Sequence, residues 1–136
     1  MLQKLSHVTV WVLDQDQAAD FYVGKLGFEV RTDQRLHGFR WLTVGPKGQK
    51  EIEMILLPVA PGPMLDAASA TALRDLVKKG ALSVGILETD DCRATYDELK
   101  RKGVAFHAAP QERPYGVEAV MRDDSGNYYS VVQRPR

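Results

Sequence analysis

The opening stretch of the chain alternates cleanly. Val8, Val10 and Val12 fall on one face of residues 7–12 and His7, Thr9 and Trp11 on the other, the two-residue period of a β-strand with one covered side. Asp14 then reads as a helix N-cap, with Gln17 three residues on completing a capping-box pattern. Ala18, Phe21 and Tyr22 supply the apolar face of a helix that Gly27 ends. Beyond it, residues 28–32, 40–44 and 51–57 read as strands, punctuated by Leu36-His37-Gly38 and by Pro46-Lys47-Gly48. The order is βαβββ.

That order recurs. A shift of 76 places lays Asp14 on Asp90, Ala18 on Ala94, Val23 on Leu99 and Gly27 on Gly103 without a gap, as a duplicated module would. In the second copy residues 82–87 read as strand, and Asp90 caps a helix carrying Cys92, Tyr96 and Leu99 that Gly103 closes. Residues 104–106, 116–122 and 128–133 follow as strands, the last two joined by the turn Asp124-Ser125-Gly126-Asn127. His107 and Ala108-Ala109-Pro110 read as loop. Between the copies lies the linker Pro58-Val59-Ala60-Pro61-Gly62-Pro63, then a connecting helix over residues 66–79 with Leu73, Leu76 and Val77 on one side. The expected architecture is α+β: one domain made of a first βαβββ module (1–63), a connecting helix (64–80) and a second module (81–136) that pair into a curved mixed sheet around a cup.

Composition narrows the function. With 136 residues, 18 Lys+Arg against 18 Asp+Glu and 44% apolar positions, the chain has the make-up of one globular domain. No apolar run approaches the roughly 18 residues of a membrane span, and no signal-peptide core follows Met1, so a cytoplasmic protein without a membrane partner is expected. Zero net charge supplies no field for nucleic acid. The basic runs Lys78-Lys79 and Lys100-Arg101-Lys102 stand at helix ends, where they complement the dipole. Cys92 is the single cysteine and His7, His37 and His107 the only histidines, so neither an internal disulfide nor a cysteine-rich zinc motif can form.

A sheet with one helix-covered face leaves the other open, and two such sheets pair within the chain or between chains, which points to a homodimer. Alternation assigns the open faces His7, Thr9 and Trp11, then Glu51, Glu53 and Ile55, then Ser83, Gly85 and Leu87. Tyr128, Ser130 and Val132 share a face of the last strand. A cup so lined suits a small-molecule ligand.

Three stretches carry a family resemblance: the opening Leu5-Ser6-His7-Val8-Thr9-Val10-Trp11-Val12, the helix Ala18-Ala19-Asp20-Phe21-Tyr22 with Leu26-Gly27-Phe28, and Pro114-Tyr115-Gly116-Val117 with Arg122-Asp123-Asp124-Ser125-Gly126-Asn127. Over nearly the whole chain they resemble the vicinal oxygen chelate superfamily of glyoxalase, bleomycin-resistance and extradiol-dioxygenase proteins. The resemblance implies paired βαβββ modules, usually dimeric. Metal-using members hold a divalent ion through one residue on each module's first strand and a Glu near each module's last strand. Carried across, the first-module positions are His7 and Glu53, with Glu51 a rival, and the second-module positions are Ser83 and Ser130. Serine hydroxyls are weak donors to divalent ions. No tightly bound cofactor is therefore expected, while a divalent metal (Zn, Ni, Mn or Fe) on His7 and Glu53 stays open.

Three readings follow. One is a glyoxalase-type lyase or isomerase with an incomplete metal site, in which Glu53 or Glu118 shuttles a proton. Another is a metal-free protein that sequesters a drug or metabolite. The third is a metal-free enzyme with a desolvated Glu53 as base beside His7. Thr9, Trp11, Arg40, Ser83, Tyr115, Tyr128 and Ser130 are the candidate ligand contacts, Arg40 through an anionic group if it points inward. Each has a plainer alternative: Trp11 and Tyr128 as packing, Tyr115 as a turn residue, Cys92 as core.

Overall fold

The computed structural model describes residues 1–136 and contains eight strands in the order that the repeat predicts. They form two four-stranded mixed sheets, ordered β1-β4-β3-β2 and β5-β8-β7-β6, so the α+β reading with two βαβββ modules holds. The chain divides into two compact units, Met1–Arg74 and Asp75–Arg136. None of its helices is long and apolar enough to cross a membrane.

In the first unit, β1 (His7–Val12) runs parallel to β4 (Glu53–Pro58), while β3 (Phe39–Gly45) lies antiparallel between β4 and the edge strand β2 (Glu29–Leu36). Asp14 caps α1 (Gln15–Ala19) by accepting from the Gln17 backbone N–H at 2.9 Å. A π-helical stretch, Asp20–Lys25, continues α1. Val10, Val12, Leu42, Val44 and Leu56 form the buried side of the sheet, and Ala18, Phe21 and Tyr22 are the buried residues of the helix. Gln15 fastens that helix to the sheet by donating to the Leu56 carbonyl at 2.8 Å and the Arg40 carbonyl at 3.2 Å.

In this unit two strand boundaries differ from the sequence reading by more than one residue. β2 extends through Leu36, because His37 (φ 52°) and Gly38 (φ 79°) make a two-residue left-handed turn whose twist suits a hairpin. β4 starts at Glu53, which leaves the rival Glu51 in the preceding turn and outside the sheet.

In the second unit, β5 (Ser83–Glu88) is parallel to β8 (Tyr128–Gln133), followed across the sheet by β7 (Gly116–Arg122) and the edge strand β6 (Phe106–Arg113). The cap of α3 (Cys92–Arg101) is Asp91, which accepts from Ala94 N–H at 3.0 Å; the expected cap, Asp90, lies one residue early. The ungapped repeat concealed this. The β5 bulge between Ser83 and Gly85 and the displaced cap shift the second module by one residue, and the π-helical turn of the first module, which holds one extra residue before its glycine, cancels the shift. His107 through Pro110 are strand rather than loop: β6 is an edge with an irregular register there, and an edge tolerates proline. The connecting helix α2 (Ala67–Lys79) is capped by Asp66, which accepts from Ser69 N–H at 2.7 Å.

Candidate functional site

In the first unit, the parallel register sets His7 opposite Glu53, Thr9 opposite Ile55 and Trp11 opposite Leu57, all on the side away from α1. β3 adds Thr43 opposite Ile55 and, by alternation, Trp41 and Phe39. The result is an open face with an aromatic and aliphatic floor and one polar corner. Trp11, Trp41, Ile55 and Leu57 are half-buried, and Leu36 and Phe39 at the far end are exposed.

The polar corner is tightly ordered. Thr43, fully buried, donates its hydroxyl to Glu53 Oε1 at 2.7 Å, and Glu53 Oε2 lies 3.5 Å from His7 Nε2. Ser6 Oγ sits 2.9 Å from His7 Nδ1, and the His7 ring is 6.1 Å from that of Trp41 between centroids. The His7 and Glu53 side chains keep 37% and 29% of their exposure, so both are within reach of a solute.

Arg40 is not there. It shares the other side of β3 with Leu42 and Val44, where its guanidinium holds both carboxylate oxygens of Asp33 (2.9 and 3.0 Å) and one of Asp16 (2.6 Å). Those bonds, Asp33 first, push the Arg40 pKa up and hold the Asp33 carboxyl below its ordinary range. The expectation of an inward-pointing anion receptor is thereby corrected: Arg40 joins β2, β3 and α1.

In the second unit, the register across β8 and β7 pairs Ser130 with Val120, Val132 with Glu118, and Tyr128 with Arg122. These residues share the face opposite Tyr129, Val131, Ala119 and Met121, which are buried on the side of α3. Glu118 reaches its face by ordinary alternation, with no bulge after Gly116. It accepts from the hydroxyl of Tyr115, an exposed turn residue, at 2.7 Å, a bond that chiefly raises the Tyr115 pKa. The bulge after Ser83 reverses the rest of β5. Ile86, 60% exposed, pairs with Ser130, while Gly85 and Leu87 pair with Tyr129 and Val131 on the helix side, opposite to the expected assignment.

The register also relocates one equivalence. Glu53 N–H donates to the Ser6 carbonyl and Tyr128 N–H to the Leu82 carbonyl, so Tyr128, not Ser130, is the counterpart of Glu53. The pair His7 and Glu53 is answered in the second unit by Ser83 and Tyr128.

A family model described as the glyoxalase/bleomycin resistance protein/dioxygenase superfamily matches residues 4–131. The chain belongs to that superfamily. Among solved structures, UcmS2 is 51% identical with a TM-score of 0.92, covering 98% of this chain and 99% of that one. TnmS3, an antibiotic binding protein from Streptomyces sp. CB03234, is 30% identical with a TM-score of 0.77, covering 98% of each chain. YurT of Bacillus subtilis (strain 168) is 31% identical over 96% of this chain and 99% of its own.

The metal-using pattern of the superfamily does not fit these residues. His7 and Glu53 are two good donors, but Ser83 offers a hydroxyl and Tyr128 a phenol where the second module should supply the others. No three His, Cys, Asp or Glu side chains gather anywhere in the chain. A structural or catalytic zinc ion normally takes at least three protein donors.

Sequence reasoning missed Trp41 and Thr43. Residues 40–44 mix apolar and polar side chains on both faces, so alternation alone did not show whether Arg40 or Trp41 shares the face of Glu53. Pairing with β4 decides it. Cys92, by contrast, is the core residue expected: fully buried, with its Sγ 3.4 Å from the Val131 carbonyl and its thiol pKa raised, mainly by burial. Native protein should therefore alkylate with iodoacetamide at least about a hundredfold more slowly than protein unfolded in denaturant, as mass spectrometry of quenched samples would show.

Proposed function

We propose that this superfamily member is a metal-free small-molecule binding protein that holds an aromatic ligand against the open face of its first unit. The observation that carries this reading is the placement of both tryptophans of the chain, Trp11 and Trp41, with Ile55 and Leu57 on the side of the sheet away from the helix. Aromatic side chains half-exposed on a rigid sheet offer large contact area at low conformational cost. The donor set, with two good ligands in the first module and a hydroxyl and a phenol in the second, supports binding over the metal-assisted chemistry of a lyase of this superfamily. Similarity to an antibiotic binding protein at 30% identity supports sequestration as the role. Within this reading the chain acts in the cytoplasm as a homodimer.

Titration with acridine dyes, read by quenching of tryptophan emission, tests the proposal. Binding at micromolar concentration is expected, weakened about 10- to 30-fold in Trp41→Ala, since a central aromatic anchor contributes on the order of 2 kcal/mol. No quenching by any acridine, or one tightly retained metal per chain after dialysis against Zn²⁺ or Ni²⁺, would overturn it.

A further inference from the structure

The polar corner of the same face has a sign. At the strand positions on this side of the first sheet stand two carboxylates, Glu53 and, opposite Gly45, Glu29; Glu29 is ion-paired with Arg31 and Lys50, whereas Glu53 meets only His7 and the Thr43 hydroxyl. The guanidinium groups of Arg40 and Arg31 are engaged by other partners. Arg40 lies on the helix side against Asp33 and Asp16, and Arg31 donates to the carbonyls of Pro46, Gln49 and Ile52 at 2.7, 2.8 and 3.2 Å. Glu53 is oriented from behind by the buried Thr43, whose hydroxyl occupies Oε1, while Oε2 is directed to the partly exposed edge beside His7. An acceptor fixed in this way, next to an indole floor, is complementary to a ring system that carries a donor at its rim. A ligand anion placed there would meet a carboxylate that no lysine or arginine neutralises, a repulsive arrangement in a partly desolvated place.

We propose that Glu53 is the specificity-determining acceptor of this site, selecting planar aromatic ligands that bear an ammonium, amine or phenolic donor and rejecting anionic ones, with Thr43 as its positioning residue. The inference rests on the aromatic-face reading above. It gives the retained half of a metal set a different use: the carboxylate faces an organic donor in place of an ion.

The test compares two probes of like ring and opposite charge, the diamino cation proflavine and acridine-9-carboxylate, in mildly alkaline buffer by tryptophan quenching and calorimetry. Wild type should bind proflavine at least about tenfold more tightly, and Glu53→Gln, which keeps the shape and removes the charge, should cut that preference by about tenfold. Thr43→Val should reduce the preference by a smaller factor while leaving the circular dichroism unchanged, which keeps the test decisive if Glu53→Gln folds poorly. Equal binding of the two probes, or a preference unchanged in both variants, overturns the inference and leaves the aromatic-face reading standing. Failure of both probes to bind defeats that reading itself.

Discussion

Gly116→Ala should destabilise the protein by about 3–5 kcal/mol, lowering the thermal midpoint by roughly 10–20 °C. Gly116 opens β7 at φ +134°, a conformation that side-chain-bearing residues rarely adopt, and a Cβ there would lie 2.0 Å from the Gln133 carbonyl oxygen. Backbone, not a flexible side chain, would have to move. The displacement would propagate, because the Gln133 side chain accepts from the Cys92 N–H at 2.9 Å and so fixes the start of α3 against the sheet. Gly24→Ala is the matched control. Nothing lies within 4 Å of its added methyl and the residue sits in the helical stretch, so an unchanged or slightly raised midpoint is expected in the same melting experiment.

Asp123→Ala should cost about 3 kcal/mol or more. The Asp123 carboxylate, 6% exposed as a residue, accepts from the backbone N–H groups of Ser125, Gly126 and Asn127 at 2.9 Å each and from Asn127 Nδ2 at 3.0 Å. Alanine would remove the acceptor that these four donors share in a largely buried loop, while Gly126 N–H would keep its 3.3 Å bond to the Asp123 carbonyl. Asp123→Asn keeps one acceptor oxygen and should retain part of the loss, and urea unfolding of the three proteins side by side measures both steps. The loop delivers β8 into its register, so the smaller effect should be accompanied by altered chemical shifts at Tyr128 and Ser130.

Much of this fold is legible from residues alone, and the reason is local chemistry. The bounds of β1, β7 and β8 are those read from the sequence, because alternating valines, Gly116 and the Asp124–Asn127 turn each act over a few residues. The illegible parts are decided by partners. The bulge after Ser83 depends on how β5 registers against β8, and the π-helical turn depends on how Tyr22, fully buried, packs with Phe21 and Phe28. The site divides in the same way. His7 and Glu53 can be put on one face by strand alternation and lie 3.5 Å apart, whereas Trp41 and Thr43 could be assigned to their face only once β3 was paired. Arg40 failed for the opposite reason, since two acids on neighbouring elements, Asp16 on α1 and Asp33 on β2, had already claimed it.

The confinement of both tryptophans to the first unit has a consequence for folding studies. Residues 75–136 contain no indole, so tryptophan emission follows the melting of one half of the chain and is blind to the other. Gly116→Ala and Asp123→Ala both strike the silent half. Coincident midpoints by emission and by far-ultraviolet dichroism in these variants would mean that damage in one half is transmitted in full to the other, as in a single cooperative transition. An emission midpoint that stays at the wild-type value while the dichroism falls would make the duplicated halves two independent folding units, each with its own stability.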